Sequence, residues 1–170
     1  MKRTCAALLA TFISSTAFAA DPAPIAVPAG HALALTLMGA GDLGYECKAK
    51  ADMPGAYEWA FTGPVATLYD KSTKAAAGKY YGGPTWEAND GSKVGGKQLG
   101  VSPSMNAASI PLQLVQAGPS MGIGAMSGIT YIQRMNTKGG VAPAMPCGAS
   151  NLGAKTTVKY EADYLFYKAS

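Results

Sequence analysis

The feature that most constrains the fold is an alternation of larger apolar side chains with small or polar ones, repeated in short runs along the chain. Leucines alternate with such residues over 33–37, and Tyr57, Trp59 and Phe61 follow the same pattern further along. Successive side chains of a β-strand point to opposite faces, so each run predicts a strand with one face in a core. We predict that the aromatic face of the second run belongs to this core.

Such runs recur at short intervals and are separated by turn-forming residues. Asp90-Gly91 between two runs is a strong hairpin signal, because glycine accepts the positive φ that tight turns need. Pro111 argues against a helix interior, so 110–117 is predicted as an edge strand or an extended segment. The predicted strands are 33–37, 43–49, 57–62, 65–69, 79–81, 85–88, 93–99, 110–117, 129–136, 156–160 and 162–167.

Composition supports the same fold class. Charged residues make up 14% of the chain, below the roughly 25% of typical globular domains. The 21 glycines and 11 prolines supply many turns, and this balance excludes a coiled coil or a helical bundle. We predict an all-β fold: an antiparallel β-sandwich or a flattened barrel of about ten short strands.

The N-terminus has the pattern of a signal peptide. Lys2 and Arg3 precede an apolar run at 5–13, and Ala17-Phe18-Ala19 supplies small residues before a cleavage site. The apolar run is shorter than the ~20 residues that span a bilayer, which disfavours a membrane anchor. The chain is therefore predicted to be periplasmic or secreted. The predicted segments are a signal peptide at 1–19, an extended proline-containing arm at 20–30 and a single β domain at 31–170.

Two cysteines remain once Cys5 is removed with the signal peptide. They are Cys47 and Cys147, and export to an oxidising compartment favours a disulfide between them. In the chain-entropy model, closing a loop of about a hundred residues contributes up to ~4.7 kcal/mol. The alternative is two free buried thiols.

Charge and histidine content exclude several function classes. Loss of Lys2 and Arg3 lowers the fourteen basic residues to twelve, against ten acidic. The lysines form no basic stripe, so nucleic acid is not a predicted partner. His31 is the only histidine, which disfavours a histidine-based metal site and a catalytic triad. The glycines at 122–128 lack dinucleotide-binding spacing and predict a flexible connection. No catalytic residue, metal or cofactor is predicted.

Acidic residues near Trp86 leave one enzymatic alternative open. Glu87 and Asp90 are close to this tryptophan, whose ring is of the type that stacks on sugars, and Asp70 could approach from a neighbouring turn. Glycoside hydrolysis needs two such carboxylates. Asp90 is also explained by its turn, and Glu87 by an exposed strand end.

Arg134 is the only arginine after the predicted signal peptide, and it lies inside a strong strand pattern. A buried arginine needs partners for its planar guanidinium. The sequence leaves two interpretations. The first is contact with an anionic or carbonyl-bearing ligand, and the second is an internal ion pair with one of three carboxylates: Glu46, Glu58 or Glu87.

Several sequence blocks, in one order, resemble a known secreted family. They are Tyr45-Glu46-Cys47, Trp59-Ala60-Phe61-Thr62-Gly63-Pro64, Leu68-Tyr69-Asp70, Gly82-Gly83-Pro84-Thr85-Trp86-Glu87, Asp90-Gly91-Ser92-Lys93-Val94, Thr130-Tyr131-Ile132-Gln133-Arg134, Ala142-Pro143 with Cys147, and Tyr160-Glu161-Ala162-Asp163-Tyr164-Leu165-Phe166-Tyr167. On these blocks, which span about 43–167, the chain resembles the family called domain of unknown function 3455.

The resemblance implies export but no established activity. That family occurs in exported bacterial proteins and in fungal ones, and some fungal relatives carry a malate-dehydrogenase label. This chain lacks a nucleotide-binding fingerprint and a histidine beside a catalytic acid, so dehydrogenase activity is disfavoured. It also has Tyr80 where the family often has a histidine, and Leu112 where it often has a tryptophan. If that histidine were catalytic, this member would be inactive.

We predict a non-catalytic binding module for a small molecule, glycan or envelope component. The ligand-binding candidates are expected to face a common concavity: Trp86, Glu87, Tyr81, Arg134 and Gln133. One alternative is a carboxylate-dependent carbohydrate-active enzyme. The other is a structural or protein-interaction domain whose exposed strand edge pairs with a partner.

Overall fold

The structure is a computed structural model that describes residues 24–170, and it consists mainly of β-strands. The predicted signal peptide at 1–19 and the start of the predicted arm lie outside the described residues. Within the described part, no helix has the length and apolar composition needed to cross a membrane. The elements are β1 (His31–Ala49), β2 (Tyr57–Asp70), β3 (Ala76–Tyr81), β4 (Thr85–Ala88), β5 (Lys93–Ser102), β6 (Leu112–Ala117), β7 (Ile129–Gly139), a short 3-10 helix (Ala149–Asn151) and β8 (Lys155–Ala169).

The eight strands form one antiparallel sheet that closes into a barrel. Each strand pairs with the next one along the chain, and β1 also pairs with β8. The predicted all-β antiparallel fold is confirmed, and the barrel is the architecture observed. There are fewer strands than predicted because three pairs of predicted strands are continuous: 33–37 with 43–49 in β1, 57–62 with 65–69 in β2, and 156–160 with 162–167 in β8.

Gly39 and Gly41 suggest a break between two strands in the sequence, but both lie inside β1. The barrel is tightly packed around them. A Cβ atom at Gly39 would meet the ring of Tyr164, and one at Gly41 would meet the backbone of β2. Glycine at these positions therefore permits the close approach of neighbouring groups. Periodicity alone does not distinguish this role from a turn.

The run at 110–117 is not an edge strand, contrary to prediction. Its strand is β6, which begins at Leu112 and pairs with β5 on one side and β7 on the other. Pro111 comes immediately before β6, where its missing N–H removes no hydrogen bond from the ladder. Every strand has two neighbours in the closed sheet, so the sheet formed by residues 24–170 has no free edge.

Large aromatic side chains fill the middle of the barrel. The ring of Tyr80 stacks on Trp86 with a centroid distance of 4.7 Å, and Tyr164 packs against both rings. Phe166 completes the cluster by meeting Trp86 edge to face. Such aromatic pairs contribute about 0.5–1.5 kcal/mol each beyond their buried area.

The predicted core face of β2 is wrong in part. Trp59 packs against the core but is only half-buried, as is Tyr57, and Phe61 is 56% exposed. Trp59 donates its Nε1–H to the Met145 carbonyl at 2.7 Å, so it lies beside the connection from β7 to β8. This part of β2 is near the end of the barrel, where Trp59 contacts a loop and Phe61 is left largely exposed.

The connection between β6 and β7 closes one end of the barrel. It contains the glycines at 122–128, and its Met126 is fully buried in the core. The Met126 N–H donates to the Ser92 hydroxyl at 3.0 Å, and the preceding N–H donates to the Asp90 carboxylate at 2.8 Å. The predicted hairpin at Asp90-Gly91 is confirmed: it joins β4 to β5, and Gly91 has a φ of +85°. Loop and hairpin together seal this end.

A disulfide ties down a loop at the other end. Cys47 on β1 is bonded to Cys147 in the connection between β7 and β8, as predicted. The same connection begins at Gly140, whose carbonyl accepts a hydrogen bond from the Tyr45 hydroxyl at 2.6 Å. Both contacts hold this connection against β1.

The described part of the predicted arm, residues 24–30, packs against the outside of the barrel. Ile25 is buried, and its carbonyl accepts a hydrogen bond from Nε2 of Gln133 at 2.7 Å. A Cβ atom at Gly100 would meet the Pro24 carbonyl, so this glycine lets the arm lie close to β5. The limits of the arm and the domain stay predictions.

Candidate functional site

A cavity opens at the end of the barrel opposite the Met126 loop. Its volume is about 440 Å³, and the connections β3–β4 and β5–β6 contribute to its walls. Apolar side chains dominate these walls, and a few polar groups converge on the interior. The main apolar residues are Leu43, Phe61, Pro64 and Ile110, and the main polar residues are Tyr45, Tyr80, Gln98, Gln113 and Arg134.

Among residues 24–170, Arg134 is the only charged residue that lines the cavity. It lies on β7, where its side chain enters the barrel interior and the neighbouring Gln133 faces the opposite side of the sheet. The predicted internal ion pair is wrong, since none of the ion pairs found in residues 24–170 involves this arginine. The predicted partners are paired with lysines instead: Glu46 with Lys48, Glu58 with Lys50, and Glu87 with Lys79.

One main-chain oxygen holds the guanidinium in place. Nε and Nη2 of Arg134 both donate to the Pro111 carbonyl, at 3.1 and 2.9 Å. A guanidinium has five N–H donors in a rigid fork, and the hydrogen bonds found among the described residues engage the edge formed by Nε and Nη2. The edge formed by Nη1 and Nη2 therefore keeps N–H groups for a further acceptor.

Two glutamines add polar groups near the arginine. Gln113 on β6 is directly opposite Arg134 in the sheet register. Its Nε2 donates to Oε1 of Gln98 on β5, at 2.5 Å. Gln98 is exposed to solvent while it lines the cavity, so this pair lies where the cavity opens.

Four tyrosines surround the positive charge. Tyr45 and Tyr80 line the cavity, and the hydroxyls of Tyr160 and Tyr164 lie 3.2 Å apart in the core. Burial raises the pKa of all four hydroxyls, and the charge of Arg134 partly opposes that rise. The tyrosines are therefore neutral near pH 7, and they leave the guanidinium charge uncompensated.

Trp86, predicted as an aromatic platform for a ligand, is part of the packed interior. It is 1% exposed and does not line the cavity. Its ring is covered by Tyr80 and Tyr164, and its buried Nε1–H has no hydrogen-bond partner among the described residues. Trp86 thus supports the cavity through Tyr80, which stacks on it and lines the cavity.

Glu87 and Tyr81 contact each other on the outer face of the barrel. The Tyr81 hydroxyl donates to Oε2 of Glu87 at 2.6 Å, and Lys79 lies 3.1 Å from Oε1. These two contacts lower the pKa of Glu87, the tyrosine hydrogen bond having the larger effect. Neither candidate lines the cavity.

Gln133 also lies on the outer face. Its Oε1 accepts a hydrogen bond from the Tyr167 hydroxyl at 2.7 Å, and its Nε2 holds the Ile25 carbonyl of the arm. The five predicted binding residues therefore do not share one concavity: Arg134 and Trp86 are inside the barrel, and the others are outside. Alternation within the pairs Trp86-Glu87 and Gln133-Arg134 was the sequence signal for this separation.

The carboxylates proposed for carbohydrate chemistry are each occupied by a local contact. Hydrogen bonds from Ser72 and Thr73 lower the pKa of Asp70 to about 2, and bonds from Ser92 and the Ala125 N–H lower that of Asp90. Both residues flank turns at the closed end of the barrel. Within residues 24–170, no group of three or more His, Cys, Asp and Glu side chains is placed to hold a metal ion.

Several cavity residues were not predicted from the sequence. Tyr45 lies in a predicted strand, and its place next to Cys47 on one face indicates an inward side chain. Gln98 and Gln113 carry no such signal, because their approach to Arg134 depends on the register of β5, β6 and β7. Pro111 contributes to the site through its main-chain carbonyl, which a pattern of side chains does not predict.

Comparison with known proteins gives one match. No curated protein and no solved structure matches the chain. The sequence profile of a family described as "Protein of unknown function (DUF3455)" matches residues 28–168, which include all eight strands except the last residue of β8, and every residue of the cavity. The chain belongs to this family of unknown function.

Proposed function

We propose that the protein is a non-catalytic binding module that takes a small organic molecule into the cavity at the open end of its barrel. The observation that carries the proposal is the cation of Arg134, which lines this mostly apolar cavity without a carboxylate partner among the described residues. Such a group is costly to shield from water unless a partner compensates it. A ligand with a negative or carbonyl oxygen supplies that partner.

The size of the cavity supports binding of a small molecule. Eight strands enclose an interior that side chains either fill or leave open for one small ligand. This barrel does both, since aromatic rings fill its middle and about 440 Å³ stays open above them. Ligand sites usually fall in the range of about 300–1,000 Å³, with apolar walls and a few convergent polar groups.

The state of the carboxylates supports a binding role over carbohydrate hydrolysis. A glycosidase needs one carboxylic acid with a raised pKa, whereas the pKa values of Glu87, Asp90 and Asp70 are all lowered. None of the three lines the cavity. The strand-edge interaction role loses its basis as well, because the closed sheet has no free edge in residues 24–170.

The proposed place of action is the periplasm or the extracellular space. The signal-peptide pattern at 1–19 supports export, and the disulfide between Cys47 and Cys147 supports an oxidising compartment.

A thermal-shift screen of the oxidised protein tests the proposal. The panel contains organic acids, neutral aromatic molecules, sugars and metal ions. A ligand at a hundred times its Kd stabilises the folded state by ~2.7 kcal/mol, which raises the Tm by several degrees for a domain of this size.

Two matched variants locate the site. Gln98→Trp places a large ring at the cavity. Lys97→Trp places the same ring on the preceding residue of β5, outside the cavity. We expect the ligand-induced shift to disappear in the first variant and to persist in the second. A shift that survives Gln98→Trp, or silence across the whole panel, contradicts binding in this cavity.

A further inference from the structure

The charges that line the cavity restrict the charge that a ligand can carry. In the part of the chain that the structure describes, Arg134 supplies the one positive charge of the cavity, and no acidic residue lines its walls. A cationic ligand would meet an uncompensated like charge there. A neutral ligand would leave the guanidinium shielded from water without a counter-charge.

The free edge of the guanidinium has the geometry of a carboxylate receptor. Pro111 engages Nε and Nη2 of Arg134, which fixes the plane of the group and leaves the edge formed by Nη1 and Nη2. Two parallel N–H groups match the two oxygens of a carboxylate. One guanidinium compensates one negative charge. The hydroxyls of Tyr45 and Tyr80 are neutral and add no second positive charge, so the cavity matches a ligand with a single negative charge.

The walls away from Arg134 fit an apolar group. Phe61 and Pro64 of β2 and Ile110 of the β5–β6 connection contribute carbon surface to the same cavity. The ring of Phe61 meets that of Tyr45 edge to face at 5.9 Å, which gives the wall an aromatic section.

We propose that the ligand is a small organic monocarboxylate with an apolar body, bound with its carboxylate on the Nη1–Nη2 edge of Arg134 and its apolar part against Phe61 and Pro64. The inference rests on the proposed binding function and adds to it the charge, the shape and the orientation of the ligand.

Calorimetric titration with three matched probes tests this chemistry. The probes are 4-phenylbutyrate, its primary amide and 4-phenylbutylamine, which share the apolar body and differ in charge. For the unmodified protein at pH 7 and low salt, we expect the carboxylate to bind about tenfold or more tighter than the amide, because hydrogen bonds to a charged group are the stronger ones. The amine is expected to bind most weakly.

Variants assign the preference to Arg134. In Arg134→Met, the carboxylate should bind no more tightly than the amide. Lys97→Met removes one positive charge outside the cavity and should leave the preference unchanged. Phe61→Ala should weaken carboxylate and amide by the same factor, and this variant keeps the orientation testable if Arg134→Met fails to fold.

The outcomes separate this inference from the proposed function. An amide that binds as tightly as the carboxylate overturns the carboxylate assignment and leaves a binding module for neutral molecules. A preference that persists in a folded Arg134→Met protein overturns the role of the arginine. Equal affinities of the unmodified and Phe61→Ala proteins overturn the orientation. If none of the three probes binds, the inference is overturned, while the proposed binding function is still decided by the wider panel of the thermal-shift screen.

Discussion

Nε and Nη2 of Arg134 hold the carbonyl oxygen of Pro111 at 3.1 and 2.9 Å, which links the middle of β7 to the residue just before β6. The contact joins a charged group of the cavity to the end of the β5–β6 connection. The same side chain therefore shapes the cavity wall and presents the charge that we assign to ligand binding.

Arg134→Met should lower the free energy of unfolding by about 1–2 kcal/mol, because two hydrogen bonds from a charged donor to Pro111 are lost. The loss is smaller than for a buried ion pair, since no carboxylate among the described residues is left unpaired by the change. Urea denaturation gives the value. The exposed Lys97→Met is the control and should stay within about 0.5 kcal/mol of the unmodified protein; an equal result for both would show that the contact with Pro111 contributes nothing.

Removal of the disulfide should lower the free energy of unfolding by about 2–4 kcal/mol, because the unfolded chain regains the freedom of a long loop. The variant is the double substitution of Cys47 and Cys147 by serine, compared by urea denaturation with the oxidised protein. The reduced, unsubstituted protein should show the same loss. Unfolding midpoints that coincide for the oxidised and double-serine forms would be inconsistent with a stabilising crosslink.

Trp86→Ala should lower the free energy of unfolding by about 3–5 kcal/mol, the usual range for a large aromatic side chain removed from a core. Trp59→Ala, at a half-buried position, is the matched control and should cost less. Thermal and urea unfolding of both variants check the order. A smaller loss at Trp86 than at Trp59 would mean that the aromatic cluster in the middle of the barrel is not the main packing core.

Asp70 should make a pH-dependent contribution to stability. Hydrogen bonds from Ser72 and Thr73 lower the pKa of its carboxyl from 3.8 to about 2 in the folded protein. A lowered pKa in the folded state means that the contribution is fully present above the unfolded value and is lost as the pH falls toward 2. We expect the Tm of Asp70→Asn to lie below that of the unmodified protein at pH 6 and the two to converge at pH 2. A difference that is the same at both pH values would contradict this linkage.

The alternation pattern is sufficient to predict the fold class and most strand positions, because a period of two residues follows directly from strand geometry. It is not sufficient to count the strands. Gly39 and Gly41 are compatible with a turn, and they lie inside β1 because the interior and the paired strand leave no room for a Cβ atom there. Barrel closure is a long-range property, since it depends on the pairing of β1 with β8.

The candidate site was predictable only in part. Arg134 was identified from its isolation within a strand pattern, and it lies in the cavity. Glu87 and Gln133 were grouped with it by residue type and strand context, although each is adjacent in sequence to an inward-facing residue and so faces outward. The approach of Gln113 and Gln98 to the arginine follows from strand register, which single-sequence patterns do not contain.

The pairing of β1 with β8 also sets the order in which the molecule can assemble. β1 comes first among the strands and β8 last, and the Ser170 N–H donates to the Gly30 carbonyl at 2.9 Å beside their shared ladder. While the chain is still emerging, β1 has only β2 as a possible neighbour. Contacts between such distant segments form slowly because the intervening chain must first be brought together. Completion of this barrel therefore waits for its final strand, and loss of β8 would leave both β1 and β7 with an open edge.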